Sequence, residues 1–568
     1  MDTFTGKSYL ISNQPLFKDL KDSDKRYVAD LCQMVDYKPL EVIYEKGTPR
    51  DFFYIIASGS VQSFIPGEGG KTETYIETHR KGDYFGLLSL LADRPHSISV
   101  RAISDTRLLR MDEKSFQEAL KRIPELAISI TRILSKRIRI DATGTKEIIQ
   151  SNITGVLSTI SAEHAAEYAT LLAGHIESES GKHVLILSGT SLAMNFAHIQ
   201  EIQERNISKL EQSLHQSASK IPYILLVLPV PGENPEWYYT LLDHLILLYS
   251  DETQKKTVNE IQNSSALAMP PTEDYVQIVH TPERMDSAEL QKAIRRRARK
   301  MTGVRLGLSL GGGAAFGLAQ IGLLKVLERE NIFIDMVTGT SMGALIGSLW
   351  ASGLSAQTIA DVSHEFNSFF KVVRLMDITI PTSGLIGGKR IRDFLNETLK
   401  GKKFEDFEIP AMVMACDIAR REEVVIGHGP AVDGIMASIA IPGLFNPILP
   451  GDGRILVDGG MVNPLPVNVL SREGINRVIA VNSMPSPEAA ARSSGTTTPN
   501  VLDILLHSFY SLQYRIARYA QQEADLYLNP IMEGATWYDF HRAPEFIRFG
   551  EQEAEKVVPE LVQLSRKI

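Results

Sequence analysis

Between Arg305 and Trp350 the chain reads RLGLSLGGGAAFGLAQIGLLKVLERENIFIDMVTGTSMGALIGSLW, and no other stretch limits the fold so tightly. The apolar run GLSL ends in Gly311, Gly312 and Gly313, and a helical spacing of apolar residues follows. A second apolar run then ends in GTSMG, directly before ALIGSLW. Strand, glycine loop, helix, strand, tight turn and helix within about fifty residues open a doubly wound α/β domain.

A chain of 568 residues exceeds what one hydrophobic core can serve, so further domains are expected. From about Leu16 to Asp141 short apolar runs alternate with glycine (EVIYEKGTP, DFFYIIASGSVQSF, KGDYFGLLSLL), the texture of a small antiparallel barrel or roll, and the helical spacing of KSFQEALKRIPELAISITRILSKRIR closes it. From about Gln150 to Met301 the apolar runs HVLILSG, YILLVLP, HLILLYS and YVQIVH alternate with stretches of helical spacing such as MNFAHIQEIQERNISKLEQSLHQ, which predicts a parallel α/β unit. It contains no GxxxxGK phosphate loop and reads as a spacer or regulatory layer. PSPEAAARSSGTTTPN, from Pro485 to Asn500, reads as an exposed loop before a helical tail. The expected division is 1–145, 146–302, 303–485 and 486–568, the last packing on the third.

A net charge of −8 excludes a wholesale nucleic-acid binder. The basic run Arg295–Lys300 reads as the solvated face of a linking helix. Two cysteines, Cys32 and Cys416, fall in different domains and give no disulfide framework, which fits the cytoplasm. The first twenty residues lack a secretory pattern, and no segment approaches the about 18 apolar residues a membrane span needs, so membrane contact should be peripheral.

Three features carry chemistry. Ser341 sits in GxSxG between strand and helix, where flanking glycines permit strained backbone and the helix N-terminus places positive potential beside the hydroxyl. The same hydroxyl could instead cap the helix. Gly311, Gly312, Gly313 and Ala314 could gather backbone N–H groups on an oxyanion; a dinucleotide loop would need GxGxxG, and Ala314 occupies its second glycine. Asp458 ends the short run RILVD before two glycines, a position that suits either a turn residue or a base.

Taken together, GGGAAFG, GTSMG, GLIGG (Gly384–Gly388), IPAMVMACD, ASIAIPGLFNPI (Ala437–Ile448) and DGGMVNPLPV resemble the patatin-like phospholipase family from Val304 onward. The first domain resembles cyclic-nucleotide-binding domains, with Gly47, Gly59, Gly82 and Gly86 at matching turns, and the whole order is similar to the neuropathy target esterase type. The resemblance implies a cyclic-nucleotide-binding-like β-roll with a C-terminal helix, a middle α/β region and an α/β/α patatin-like domain. It also implies a Ser341–Asp458 dyad, with the backbone of Gly312, Gly313 and Ala314 as oxyanion hole, cleaving fatty-acyl esters of phospholipids or lysophospholipids with no metal or cofactor. Two positions depart. Phe316 stands where that family carries Arg or Lys, which keeps open a decayed, non-enzymatic scaffold. Leu87 and His96 replace the glutamate and arginine that would hold a cyclic nucleotide, so tight binding is not expected. A Ser–Asp–His hydrolase is the third reading, with His507 or His541 as the base.

Overall fold

The computed structural model describes residues 20–127, 152–190, 199–201, 221–230, 242–262, 276–364, 384–486 and 501–565, apart from a few short stretches inside these ranges. The chain divides into two compact units, one holding Ile130–Arg305, the other Met1–Ser129 together with Leu306–Arg566.

The N-terminal part of the second unit forms two four-stranded antiparallel sheets. One runs Gln33–Tyr37, Thr106–Asp112, Phe52–Ser58, Tyr84–Phe85, the other Val42–Tyr44, Ser99–Ala102, Ser60–Pro66, Glu73–Arg80. Tyr54, Ile56, Val61, Phe85, Val100 and Leu108 fill the space between them. Helix Glu113–Arg122 follows, its N-terminus held by Asp112, which accepts the Ser115 N–H at 2.9 Å. The expected roll and closing helix are present, whereas Gly59, Gly82 and the helical spacing past residue 130 lie outside the described residues.

The middle unit is a six-stranded sheet, parallel throughout, in the order Ile199–Glu201, Val184–Ser188, Tyr223–Val227, Asn152–Ser158, His244–Tyr249, Val276–His280. Apolar side chains from alternate positions feed separate cores on its two faces, which is why these strands read as continuous apolar runs. Two expectations need correction. Ile199–Glu201, inside the stretch with helical spacing, is an edge strand in register with Ile186–Ser188; the ladder on offer overrides local periodicity, and most of that stretch lies outside the described residues. Nor is the basic run wholly solvated: it lies on helix Ala288–Thr302, where Arg299 is buried, paired with Glu179 and donating to the Val304 carbonyl at 2.8 Å. Arg295 reaches the same Glu179 at 2.6 Å, so that carboxylate compensates the buried charge.

From Leu306 onward the elements that build the sheet and the site are β1 (Leu306–Leu310), α1 (Ala319–Arg329), β2 (Met336–Thr340), α2 (Met342–Ala351), β3 (Ala411–Asp417), β4 (Glu422–Ile426), α3 (Ala431–Ser438), β5 (Leu456–Asp458), α4 (Val467–Arg472), β6 (Arg477–Val481), α5 (Val501–Gln521), β7 (Leu526–Leu528) and α6 (Ala543–Glu555). The sheet runs β4-β3-β2-β1-β6-β7, with β5 paired to β3. β2, β1, β6 and β7 are parallel to their neighbours, as is β3 to β2, while β4 and β5 lie antiparallel to β3. This is the doubly wound α/β arrangement that the opening motif predicts. β1 and β2 are the central strands, so the loops after both open at the same carboxyl edge, where sheets of this kind carry their sites.

Candidate active site

Ser341 occupies the turn between β2 and α2 with φ 55° and ψ −120°, a left-handed conformation that a side chain rarely adopts. The glycines make this turn possible by letting backbones touch: a Cβ on Gly343 would lie 2.2 Å from the Leu310 carbonyl oxygen, and one on Gly339 2.5 Å from that of Gly343. The Ser341 hydroxyl caps no helical N–H, which removes the capping role. Its own N–H donates to the buried Ser438 Oγ at 3.1 Å, fixing the strained peptide.

Asp458 ends β5, fully buried, with Oδ1 accepting the Gly460 N–H at 2.7 Å. Burial pushes its carboxyl up to about 6 from the ordinary 3.8, and hydrogen bonding from the Ser341 hydroxyl and the Gly460 N–H partly offsets the rise. The serine is thus close enough to favour the charged carboxyl, yet Oδ2 is buried and makes no close hydrogen bond in this resting geometry. Apo sites commonly hold such contacts long.

The glycine loop lies against the serine, since a Cβ on Gly312 would be 3.3 Å from the Ser341 Cβ. One expected donor is already spent: the Gly312 N–H donates to the Pro464 carbonyl at 3.0 Å. Among the described residues the N–H groups of Gly313 and Ala314 have no protein acceptor, and Ala314 holds φ 48°. The loop is pinned on both sides. Gln320 Nε2 donates to the Gly311 carbonyl at 2.7 Å and to Ser483 Oγ at 2.9 Å, and the Ala315 N–H donates to the Trp537 carbonyl at 3.0 Å.

The segment after Asp458 explains its own prolines. The carbonyls of Asn463, Pro464 and Pro466 accept from Thr340 Oγ1 at 2.7 Å, the Gly312 N–H and Thr338 Oγ1 at 3.0 Å, so the stretch following the aspartate clamps both β2 and the glycine loop. ASIAIPGLF does the same from the other side: Ser438 holds Ser341, and the Ala440 carbonyl accepts the Asp458 N–H at 2.8 Å. Nothing about Ser438 alone marks it in the sequence; its placement between the serine and the aspartate is a tertiary fact.

Phe316 is buried and packs edge-to-face on Phe546 of α6, ring centroids 5.8 Å apart. Its departure from Arg or Lys therefore exchanges a cation for a core contact that ties the loop to the C-terminal helices. His507 and His541 are both exposed, on α5 and on the turn Phe540–Arg542, and neither joins the buried pair. Among the described residues no cluster of His, Cys, Asp and Glu could hold a metal ion.

A serine on a strained strand-to-helix turn, a buried aspartate beside it and open backbone donors make this a candidate serine hydrolase site on a doubly wound sheet. Residues 308–471 match the family described as patatin-like phospholipase, and 34–123 match the cyclic nucleotide-binding domain. The patatin-like match thus lies C-terminal to the cyclic nucleotide-binding match, on the segment that holds Ser341 and Asp458. It is 24% identical over 532 residues to neuropathy target esterase sws of Drosophila melanogaster, covering 82% of this chain and 37% of that one. With the protein of the same name from Drosophila willistoni it shares 25% over 516 residues, 79% of this chain and 35% of the relative. The chain thus spans little more than a third of the length of these relatives. The crystal structure of Thermus thermophilus Catabolite Activator Protein matches with 22% identity over 29% of this chain and 67% of that one, at a TM-score of 0.21.

Proposed function

We propose that this protein is a serine esterase hydrolysing the fatty-acyl ester bonds of phospholipids and lysophospholipids through the Ser341–Asp458 pair. The observation that carries the reading is the pairing itself: a hydroxyl held on a strained turn beside a carboxyl that burial raises to about 6. A carboxylate of ordinary acidity is a poor base for a serine; one raised this far is still ionised at neutral pH and accepts a proton more readily.

As Ser341 Oγ bonds to the ester carbonyl carbon, its proton passes to Asp458. The negative charge forming on the carbonyl oxygen is met by the Gly313 and Ala314 N–H groups, and each such donor contributes a few kcal/mol, on the order of 3. The tetrahedral centre collapses, the glycerol oxygen leaves with the proton from Asp458, and the acyl group remains on Ser341. Water then attacks the acyl-enzyme with Asp458 again taking the proton, releasing the fatty acid and restoring the serine.

In the N-terminal domain Leu87 is buried, and His96 folds inward, its ring stacked on Tyr44 at 3.7 Å and its Nδ1 3.2 Å from Ser89 Oγ. Both side chains are committed to packing, which supports a structural or protein-contact role rather than tight cyclic-nucleotide binding. No described helix is long and apolar enough to cross a membrane, and contact with the lipid phase would be made at its surface, from the cytoplasm.

The test compares wild type and Ser341→Ala on a short-chain nitrophenyl ester and on lysophosphatidylcholine. Loss of about a thousandfold or more is expected. Wild-type activity in Ser341→Ala refutes the dyad.

A further inference from the structure

Three polar atoms around the aspartate are buried without a hydrogen-bond partner: Asp458 Oδ2, the Tyr510 hydroxyl and Gln513 Oε1. Buried polar groups are nearly always paired, and exceptions cluster where a fold keeps a group available for function. Tyr510 and Gln513 are three residues apart on α5 and so share one helix face, which packs on the turn Gly459–Met461 directly after Asp458. Gln513 is 2% exposed, and its amide sits on that turn: the point where a Gly460 Cβ would stand is 1.9 Å from Gln513 Nε2 and 3.0 Å from Asp458 Oδ1. Only glycine leaves room there for the amide, and the same residue's N–H holds Oδ1. Burial, with the negative charge of Asp458 adding to it, pushes the Tyr510 hydroxyl's pKa up and keeps it protonated. The Tyr510 ring lies 6.3 Å from that of Trp537, whose carbonyl pins the glycine loop. Both residues lie beyond the segment that matches the patatin-like family, 308–471.

We infer that Tyr510 and Gln513 are positioning residues for the base. Gln513 braces the Gly460 turn that orients the carboxyl, and Tyr510 presents a hydroxyl donor that favours its charged form, so α5 sets the pH at which the aspartate works. The inference rests on Asp458 being the base of the proposed esterase. The other titratable group coupled to Asp458 is Cys416 on β3, which burial holds neutral; no charged side chain acts on the carboxyl among the described residues.

The sign follows. Removing a donor from a buried carboxylate disfavours the charged form, and adding a second carboxylate does so more strongly. Tyr510→Phe should move the acid limb of the kcat/KM profile upward by about half to one pH unit, leaving the alkaline plateau within a few-fold of wild type. Gln513→Glu should move it upward by about one unit or more, with activity recovering at higher pH. The full chain is assayed with a nitrophenyl ester, and thermal unfolding checks that each variant is folded. A limb that stays at its wild-type position in both folded variants overturns the inference, since a merely structural role lowers the plateau and leaves the limb in place. Labelling by a fluorophosphonate separates the two readings: wild-type labelling of Ser341→Ala, or none of wild type, sinks the dyad itself, whatever the limb does.

Discussion

Asp458→Asn should abolish hydrolysis and, at neutral pH, make the protein more stable. The carboxyl sits fully buried at about 6 against an ordinary 3.8, so the folded state binds its proton more tightly than the unfolded chain does. The stabilising effect of that proton is complete below 3.8 and is lost as the pH rises through about 6; above that, the fold carries an ionised carboxyl it would rather protonate. At about 1.4 kcal/mol per pKa unit the cost reaches about 3 kcal/mol. Asparagine keeps an oxygen for the Gly460 N–H, currently at 2.7 Å, and has no charge to bury. Near pH 8 the variant should unfold about 6–12 °C above wild type, taking about 2–4 °C per kcal/mol for a domain of this size. The gap should close by about pH 4, where wild type is itself protonated. Calorimetry across that range measures both limits. A gap that is absent at pH 8, or that persists unchanged at pH 4, refutes the raised pKa and with it the reason an aspartate can serve as base.

Three other outcomes bear on the rest of the molecule. Phe316→Ala removes a buried ring from its contact with Phe546, and should cost about 3–5 kcal/mol in denaturant unfolding, with kcat falling because the glycine loop loses its anchor. Gly343→Ala places a methyl 2.2 Å from the Leu310 carbonyl oxygen, so the turn at Ser341 cannot close; fluorophosphonate labelling should disappear even where soluble protein is recovered. Calorimetric titration of the full chain with cyclic AMP and cyclic GMP should give no micromolar binding, since Leu87 and His96 offer packing and no carboxylate or guanidinium; micromolar heat for either nucleotide refutes that account.

Phe316 shows how a sequence can mislead. Compared with a family pattern it is a lost cation beside the oxyanion loop, and that alone supports a decayed hydrolase. In the fold its ring meets Phe546, from a helix more than two hundred residues further along the chain, so the change belongs to the core. The edge strand Ile199–Glu201 errs the other way: local spacing was helical, and a partner strand decided otherwise.

What the sequence determined by itself was whatever is encoded within a few residues. The strand–loop–helix–strand–turn–helix order follows from apolar period and glycine placement, and Ser341 stands out because a strained turn needs small neighbours on both sides. Asp458 was legible as a candidate but not as a base, because an aspartate before two glycines is locally a turn, and only motif resemblance paired it with Ser341. Tertiary structure decided the rest. It buried Asp458 beside Ser341 and so raised its pKa, committed the Gly312 N–H to Pro464, and set Ser438, Tyr510 and Gln513 around the pair. These are properties of desolvation and of contacts between segments far apart in the chain, and no short stretch of residues encodes either.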